Sequence, residues 1–195
     1  SDWILKEMRS ENGGFYSSLN ADSEGCEGKY YAWDKNEIKN ILNKEEFEII
    51  KQHFDLDQKP NFEKQHHLTI KSNLDNLSES MKYEKETISR KIDEARSNLL
   101  KTRESREKPS LDKKQLTSWN ALVVKGLAIS GRVLGRDDLV QAASKAIDFI
   151  MNNKMKENKL MSCFVDQRSK IPAYLDDHAF LLDAIMELLQ SKWNT

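Results

Sequence analysis

Residues 119–134 read WNALVVKGLAISGRVL, and their apolar side chains cover most of the circumference of a helix. A second apolar stripe runs from Leu139 to Ile150, beyond a turn at residues 131–138 in which Asp137 is a candidate N-cap. Two helices joined by so short a turn form an αα-hairpin. We expect the first of the two helices to be buried on nearly all sides.

A third apolar helix follows near the end of the chain. Residues 179–190 read AFLLDAIMELLQ, and Asp176 and Asp177 directly precede them as capping candidates. The spacing again predicts a helix that is buried nearly all round. Before it, residues 160–165 and 171–174 have the composition of two short strands and predict a small β-hairpin.

The first third of the chain has a mixed pattern. Residues 13–19 and 28–33 are short aromatic segments around a polar, glycine-containing loop, which predicts a β-hairpin. Asp34, followed three residues later by a glutamate, has the form of a capping box and predicts the start of a short helix. Residues 44–54 continue with apolar side chains at helical spacing.

The middle of the chain divides into a polar stretch and a charged helix. Residues 61–81 carry sparse apolar side chains and predict an extended linker with short turns. Residues 82–106 carry the stripe Ile88, Ile92, Ala95 and Leu99, with charged residues elsewhere, which predicts a long outer helix. We therefore expect one partial domain, with a hairpin and short helices over residues 1–60, the linker, and helical hairpins over residues 82–195.

The repeated unit is a polar loop with Asp or Asn, an apolar inner helix, a turn and an amphipathic outer helix. This order is typical of a helical-hairpin toroid, in which the N-termini of the inner helices line a common mouth. The predicted fold class is therefore mainly α, a partial and incomplete α/α toroid with short β-hairpins. At this length the chain holds about three hairpins of ordinary helix and loop length.

Composition excludes several classes of function. The 195 residues include 31 Lys and Arg against 32 Asp and Glu, so no net positive field attracts nucleic acid or an anionic membrane. No apolar run approaches the length of a membrane span, and the first residues do not have the pattern of a signal peptide. Two distant cysteines favour a reducing compartment, and we expect a soluble cytoplasmic protein.

Residues 13–33 read GGFYSSLNADSEGCEGKYYAW, and this segment resembles a protein family that includes bacterial YyaL and the spermatogenesis-associated thioredoxin-domain proteins of animals. Residues 116–122, LTSWNAL, and residues 175–181, LDDHAFL, fit the same family in the same order. The resemblance extends over nearly the whole chain.

The resemblance implies a thioredoxin-like domain followed by a six-hairpin toroid similar to glycosidases and N-acylglucosamine 2-epimerases. This chain matches a middle portion of the toroid and carries no C-x-x-C motif, so no redox activity is carried over. The implied function is part of a carbohydrate-active domain, a glycoside hydrolase or a 2-epimerase-like isomerase, that is inactive as this chain alone. The alternative is a non-catalytic interaction domain that supports the thioredoxin-like domain of the full-length protein.

Carboxylates are the first candidates for catalysis, because glycoside hydrolysis requires a proton donor together with a base or nucleophile. Asp22 and Glu24 lie in one loop, and Asp176 and Asp177 precede a buried helix. The competing interpretation is that these residues satisfy turns and caps or are solvated. His178 is a candidate proton shuttle, since an imidazole can both accept and donate a proton, or else a structural histidine.

Three further residues are candidates for substrate binding. Trp119 offers an indole on which a sugar ring can stack, and Asn120 offers an amide that can bond hydroxyl groups. A buried core tryptophan with a capping asparagine is the alternative. Tyr31 belongs to an aromatic segment in which core packing is the competing explanation.

The expected partners are few. We predict a small sugar ligand, no nucleic acid, no membrane and no cofactor, since the sequence has no phosphate-binding glycine motif. No cysteine and histidine spacing indicates a metal site. An open arc of hairpins would expose apolar faces, so we expect this chain to form a homodimer or a domain-swapped assembly.

Overall fold

A computed structural model describes residues 1–191, and these residues are mainly α-helical. A short π-helical segment, Ile4–Met8, precedes the other elements. The α-helices are α1 Lys35–Ile41, α2 Lys44–Phe54, α3 Leu74–Met81, α4 Lys85–Glu104, α5 Thr117–Leu134, α6 Asp137–Lys154 and α7 Leu175–Leu189. The strands are β1 Ser18–Leu19, β2 Asp22–Ser23, β3 Cys26–Glu27, β4 Leu111–Asp112, β5 Gln115–Leu116, β6 Met155–Lys156, β7 Lys159–Val165 and β8 Arg168–Pro172.

The chain forms two compact units. The first, here called the outer-segment unit, combines Ser1–Leu19 with the chain from Leu111 onward. The second, the insert unit, is Asn20–Ser110. No helix within residues 1–191 combines the length and the apolar character that crossing a membrane requires.

The outer-segment unit is built on the predicted hairpin of α5 and α6. Gly135 ends α5 with a left-handed backbone, φ 64°, which L-residues with a Cβ adopt at a cost. Gly131 lets the two helices approach, because a Cβ at this position would lie 2.6 Å from Cγ2 of Val140. Helix α6 begins at Asp137, but its N-cap is Arg136 and no side-chain capping bond forms, so the prediction of Asp137 as the N-cap was wrong.

Helix α7 lies beside α5 and runs in the same direction. Two ion pairs show this parallel register. Lys125 Nζ lies 2.7 Å from Asp183 Oδ2. Further toward the C-terminal ends of both helices, Arg132 Nη2 lies 3.1 Å from Glu187 Oε2. Helix α6 follows α5 after a short turn, and strands β6, β7 and β8 separate α6 from α7 along the chain.

The predicted all-round burial of α5 and α7 was wrong. Each helix buries one face in the core of its unit, to which α5 contributes Ala121, Val124, Leu127 and Ala128 and α7 contributes Leu181, Ala184 and Leu188. The opposite faces expose large apolar side chains: Trp119, Leu122, Val133 and Leu134 on α5, and Leu182 and Met186 on α7. Within the outer-segment unit α6 and α7 are the helices packed along α5, so part of its circumference stays at the surface.

The predicted second hairpin forms as β7 and β8, with β5 on the other side of β7, but its second strand is Arg168–Pro172 and not residues 171–174. A two-residue turn at Asp166 and Gln167 joins the strands, and both residues have positive φ, as a type I′ turn requires. Ile171 has φ 66°, an uncommon conformation for a β-branched residue. The paired residues skip Ile171 and Ser162, so the ladder is interrupted at this point.

The insert unit contains the predicted helices α1, α2 and α4. Asp34 accepts hydrogen bonds from the backbone of Asn36 and Glu37 and starts α1 as predicted. Asn43 and Glu46 form a capping box at the start of α2. The stripe predicted for α4 is buried, and its four residues, Ile88, Ile92, Ala95 and Leu99, pack against α1, α2 and α3.

Two local predictions in the first half of the chain need correction. The first hairpin consists of the short strands β2 and β3, with a turn at Glu24 and Gly25. The aromatic segments at residues 13–19 and 28–33, which were predicted to be its strands, lie outside it. Backbone bonds from Tyr31 and Ala32 to the carbonyl of Gly28 fold the second aromatic segment into a turn instead. Within the predicted linker, Asn73 accepts a bond from Asn76 and caps α3, whose Leu77 is fully buried.

Candidate functional site

Asp177 connects the first turns of the two parallel helices. Its side chain is only 1% exposed. Its Oδ1 accepts a hydrogen bond from the backbone N–H of Ser118 at 2.8 Å, in the first turn of α5. Its Oδ2 accepts one from the N–H of Tyr174 at 3.0 Å, directly before α7. One carboxylate therefore satisfies N–H groups at the start of both helices and fixes how these helix ends lie together.

The surroundings of Asp177 keep it ionised. Burial alone would raise its pKa, but the N–H of Tyr174, the hydroxyl of Ser162 and the N–H and hydroxyl of Ser118 all donate to the carboxylate, and the net effect is a lowered pKa. Asp177 is thus a charged carboxylate at neutral pH whose two oxygens are already occupied.

Lys154 is a buried cation in the same region. Its side chain has no exposed surface, and its Nζ donates to the carbonyl oxygens of Gln115 at 2.7 Å and Ser162 at 3.0 Å. Desolvation lowers the pKa of Lys154 to about 8, while the charges of Cys163 and Asp177 act in the opposite direction. The Ser162 carbonyl lies where the β7–β8 ladder is interrupted.

Sequence reasoning did not single out Lys154, although a signal was present. The buried stripe of α6 continues from Ala146 to Ile150 and reaches Lys154 after another four residues, which places this lysine on the buried face. A charged residue at a core position of an amphipathic helix is a sign of an internal polar network.

Asn120 is the second polar clamp of these helix ends. It is 1% exposed, and its Oδ1 accepts from the N–H of Phe15 at 2.7 Å. Its Nδ2 donates to the carbonyl oxygens of Phe15 at 2.9 Å and Leu116 at 2.8 Å. The amide therefore holds the segment around Gly14 against α5, and both of its N–H groups are used within the chain.

Three of the predicted site residues lie exposed next to these clamps. Trp119 follows Ser118 and is 51% exposed, and Asp176 and His178 flank Asp177 and are both exposed. Tyr174, which the sequence reasoning did not select, is 63% exposed at the start of α7. We call Trp119, Tyr174, Asp176 and His178 the N-terminal edge, because each adjoins or belongs to the two helix starts that Asp177 joins.

The candidates Asp22 and Glu24 belong to the insert unit, on the β2–β3 hairpin. Asp22 is exposed, and its N–H donates to Asn20 Oδ1. Glu24 occupies the turn with φ 52° and forms an ion pair of 2.8 Å with Lys29. The hydrogen bond with Glu24 raises the pKa of Lys29. The role of Asp22 and Glu24 in catalysis stays a prediction.

Tyr31, the third predicted binding residue, lies in an aromatic and cationic cluster of the insert unit. The rings of Tyr30 and Tyr31 meet edge to face with centroids 4.9 Å apart. The guanidinium carbon of Arg103 lies 5.4 Å from the Tyr30 centroid and 5.2 Å from the Tyr31 centroid. Sequence reasoning missed Arg103, because nothing in the spacing shows which ring a helix-end arginine reaches.

The outer-segment unit also contains a cleft of about 390 Å³, a size within the range of small-molecule sites. Its lining is mostly polar, and it includes Asn12, Tyr16, Lys113 and Gln115. None of the eight predicted site residues lines this cleft. Within residues 1–191 no three side chains of His, Cys, Asp or Glu are placed to share a metal ion.

Comparisons with known proteins connect the chain to a family. No family model matches it. It is 25% identical to spermatogenesis-associated protein 20 of Homo sapiens over 97% of this chain and 28% of the human protein. It is 24% identical to the protein of the same name from Rattus norvegicus over 97% of this chain and 28% of the rat protein. An uncharacterised protein of Caenorhabditis elegans is 26% identical over 94% of this chain and 30% of the worm protein. The chain thus spans less than a third of each of these relatives.

Proposed function

Because this chain belongs to the family of spermatogenesis-associated protein 20, we propose that it is part of a larger α/α-toroid domain that binds a carbohydrate at the N-terminal edge. The parallel pair α5 and α7 with the returning α6 supports the toroid, since this is its repeating unit. The likeness of such toroids to sugar-processing enzymes is an analogy at the level of the fold.

The observation that carries the proposal is the bridge made by Asp177. Since its two oxygens bond Ser118 and Tyr174, the residues next to these positions in the sequence are presented at one edge of the unit. The bridge is buried and charge-assisted, so it holds the two helix starts in a fixed relation. A rigid backbone under exposed side chains is what a preorganised binding surface requires.

The exposed side chains of the N-terminal edge have the chemistry of a sugar-binding surface. Trp119 and Tyr174 present aromatic rings on which the apolar face of a pyranose can stack. Asp176 and His178 present groups that accept and donate hydrogen bonds to hydroxyl groups. Asp177 and Asn120 act as positioning residues, because their polar atoms are taken up by backbone groups.

If the complete domain is an enzyme, a glycoside hydrolase or a 2-epimerase-like isomerase, the edge offers two groups for proton transfer. These are Asp176 and His178, whose side chains are exposed at the start of α7. We expect this chain alone to show no turnover on any sugar, since it spans less than a third of its relatives. Turnover by the isolated chain would contradict this part of the proposal.

A second candidate function is a non-catalytic scaffold that supports the thioredoxin-like domain of the full-length protein. The full occupation of the carboxylate of Asp177 and of the amide of Asn120 by structural bonds favours it. The two functions differ in one measurable property, because a scaffold has no reason to bind sugars at Trp119.

The experiment is an NMR titration of the tryptophan indole N–H signals with mono- and oligosaccharides. We expect the Trp119 signal to shift, and Trp119→Ala to weaken binding by up to about tenfold, the loss expected for an aromatic contact of about 0.5 to 1.5 kcal/mol. Trp3→Ala is the matched control, since Trp3 is 48% exposed in the same unit. An unchanged Trp119 signal with every sugar would support the scaffold instead.

A further inference from the structure

Two arginines at and just beyond the end of α4, Arg103 and Arg106, lie over rings of the same aromatic segment of the insert unit, and they differ in their partners. Arg106 lies over Trp33, with its guanidinium carbon 4.0 Å from the ring centroid. Its Nη1 donates to the carbonyl oxygens of Lys29, Tyr30 and Ala32 at 3.2, 3.0 and 2.8 Å. Its Nη2 donates to Glu37 Oε1 at 2.8 Å. Arg106 is therefore a structural anchor with its charge compensated.

Arg103 has none of these bonds. It is half-buried against the rings of Tyr30 and Tyr31, and within residues 1–191 no acceptor bonds its guanidinium and no carboxylate lies within ion-pair distance. Its Nε is sealed from solvent without a partner. The hydroxyl of Tyr30, in a residue only 3% exposed, is also sealed and unpartnered.

This arrangement leaves the outer edge of the Arg103 guanidinium open. Among the three side-chain nitrogens of Arg103, Nε is the one that is buried and has no hydrogen-bond partner. Nη1 and Nη2 also have no acceptor within residues 1–191, and because they are not buried they reach solvent. A half-buried guanidinium with unused donors gains free energy from an anion, because charged groups are costly to desolvate without a counter-charge. The nearby cation Lys29 already has Glu24 as its partner.

We propose that Arg103 is an oxyanion-binding residue, whose Nη edge binds a carboxylate or phosphate group of a ligand while the rings of Tyr30 and Tyr31 lie against the guanidinium group. A planar guanidinium binds two oxygens of such a group through parallel N–H bonds. Tyr31 is partly exposed beside it and offers its ring to the remainder of the ligand. The proposal concerns the insert unit and does not depend on sugar binding at the N-terminal edge.

The test uses two oxyanion probes, inorganic phosphate and glucuronate, with neutral glucose as the third arm. Binding is followed by NMR at the arginine Nε–H signals at constant ionic strength. We expect at least one oxyanion to shift the Arg103 signal, and the stronger of the two identifies the phosphate or the carboxylate as the natural group. Glucose should leave this signal unchanged.

Variants separate a specific site from general charge. Arg103→Gln should weaken binding of the preferred oxyanion about tenfold or more, in line with the loss of a charge-assisted pair. Arg96→Gln is the matched control. Arg96 lies exposed on the same helix near Asp93, and its replacement removes the same charge. Arg103→Lys keeps the charge without the fork and should bind with intermediate strength.

Equal losses in Arg103→Gln and Arg96→Gln, or no binding of either oxyanion to the unchanged chain, would overturn the proposal. If Arg103→Gln does not fold, the Arg103→Lys variant and the Nε–H shifts of the unchanged chain decide the question. Loss of oxyanion binding with sugar binding at Trp119 intact would separate this site from the proposed function.

Discussion

Replacing Lys154 by methionine should abolish a pH dependence of stability that the unchanged chain has. Burial lowers the pKa of Lys154 to about 8, against about 10.4 in the unfolded chain. Between these two pH values the unfolded state binds more protons, so the free energy of unfolding rises with pH. A difference of about 2.4 pH units at about 1.4 kcal/mol each gives a rise of about 3 kcal/mol.

The assay is urea unfolding of three proteins at a series of pH values from about 7 to about 11, the window set by the two pKa values. Lys145→Met is the matched control, because Lys145 is exposed on the same helix, α6. We expect the unchanged chain and the control to gain about 3 kcal/mol of stability relative to Lys154→Met across the window. The hydrogen bond with Asp183 raises the pKa of Lys125, so this lysine lowers the free energy of unfolding at higher pH. All three proteins share that loss of stability.

At neutral pH the methionine variant has two opposing effects. It removes a buried charge, but it leaves the carbonyl oxygens of Gln115 and Ser162 without their donor, at a cost of about 1 to 3 kcal/mol for each buried group. The slope with pH is therefore the decisive readout. A slope in Lys154→Met equal to that of the control would refute the reasoning. An NMR titration of the Lys154 side chain with a midpoint near the ordinary lysine pKa would do so even if the variant does not fold.

Two other predictions concern the same unit. Asp177→Ala should lower the free energy of unfolding by about 3 to 5 kcal/mol, since it leaves two helix starts and a buried cation uncompensated, and Asp177→Asn by less. The difference in unfolding free energy between Asp177→Ala and the unchanged chain should shrink as pH falls below about 4. The pKa of Asp177 is lowered in the folded state, so its ionised carboxylate stabilises the fold above that pH and loses this effect when it is protonated. A loss under about 1 kcal/mol in denaturant unfolding would speak against the bridge. Gly14→Ala should lower the free energy of unfolding by about 1 to 3 kcal/mol, because its Cβ would lie 2.1 Å from Gln115 Oε1. Gly126→Ala should raise it by about 0.5 to 1 kcal/mol, because Gly126 lies in mid-helix and its Cβ would meet no atom within 4 Å. Thermal unfolding of the two variants checks this pair, and equal effects would contradict it.

The sequence was a good guide to local structure where one side chain decides the outcome. Asp34 starts α1 through its own carboxylate, and the stripe of α4 is buried as its spacing predicts. The same reasoning failed for α5 and α7, because apolar periodicity measures what a helix can bury and not which neighbours are present to cover it. Trp119 is the clearest example, because the burial predicted for α5 would enclose this indole, and the structure leaves it half exposed.

The polar contacts at the starts of α5 and α7 could be predicted in part. The sequence drew attention to Asp176, Asp177 and Asn120, but it could not tell which of two adjacent aspartates is buried. The helical turn decides this, since only Asp177 is placed to accept from the backbone of both α5 and the start of α7. Lys154 and Arg103 were missed, because their environments come from residues distant in sequence, Gln115 in one case and Tyr31 in the other.

The position of Asp177 constrains any chemistry at the N-terminal edge. A general acid must hold a proton near neutral pH, which requires a carboxyl pKa raised well above its ordinary value. Asp177 has the opposite shift, and donors occupy both of its oxygens, so it can neither give a proton nor reach a substrate carbon. Under the proposed function, proton transfer at this edge would fall to Asp176 and His178. Replacing Asp177 should then disturb binding and stability together, whereas replacing the exposed Asp176 should leave stability almost unchanged.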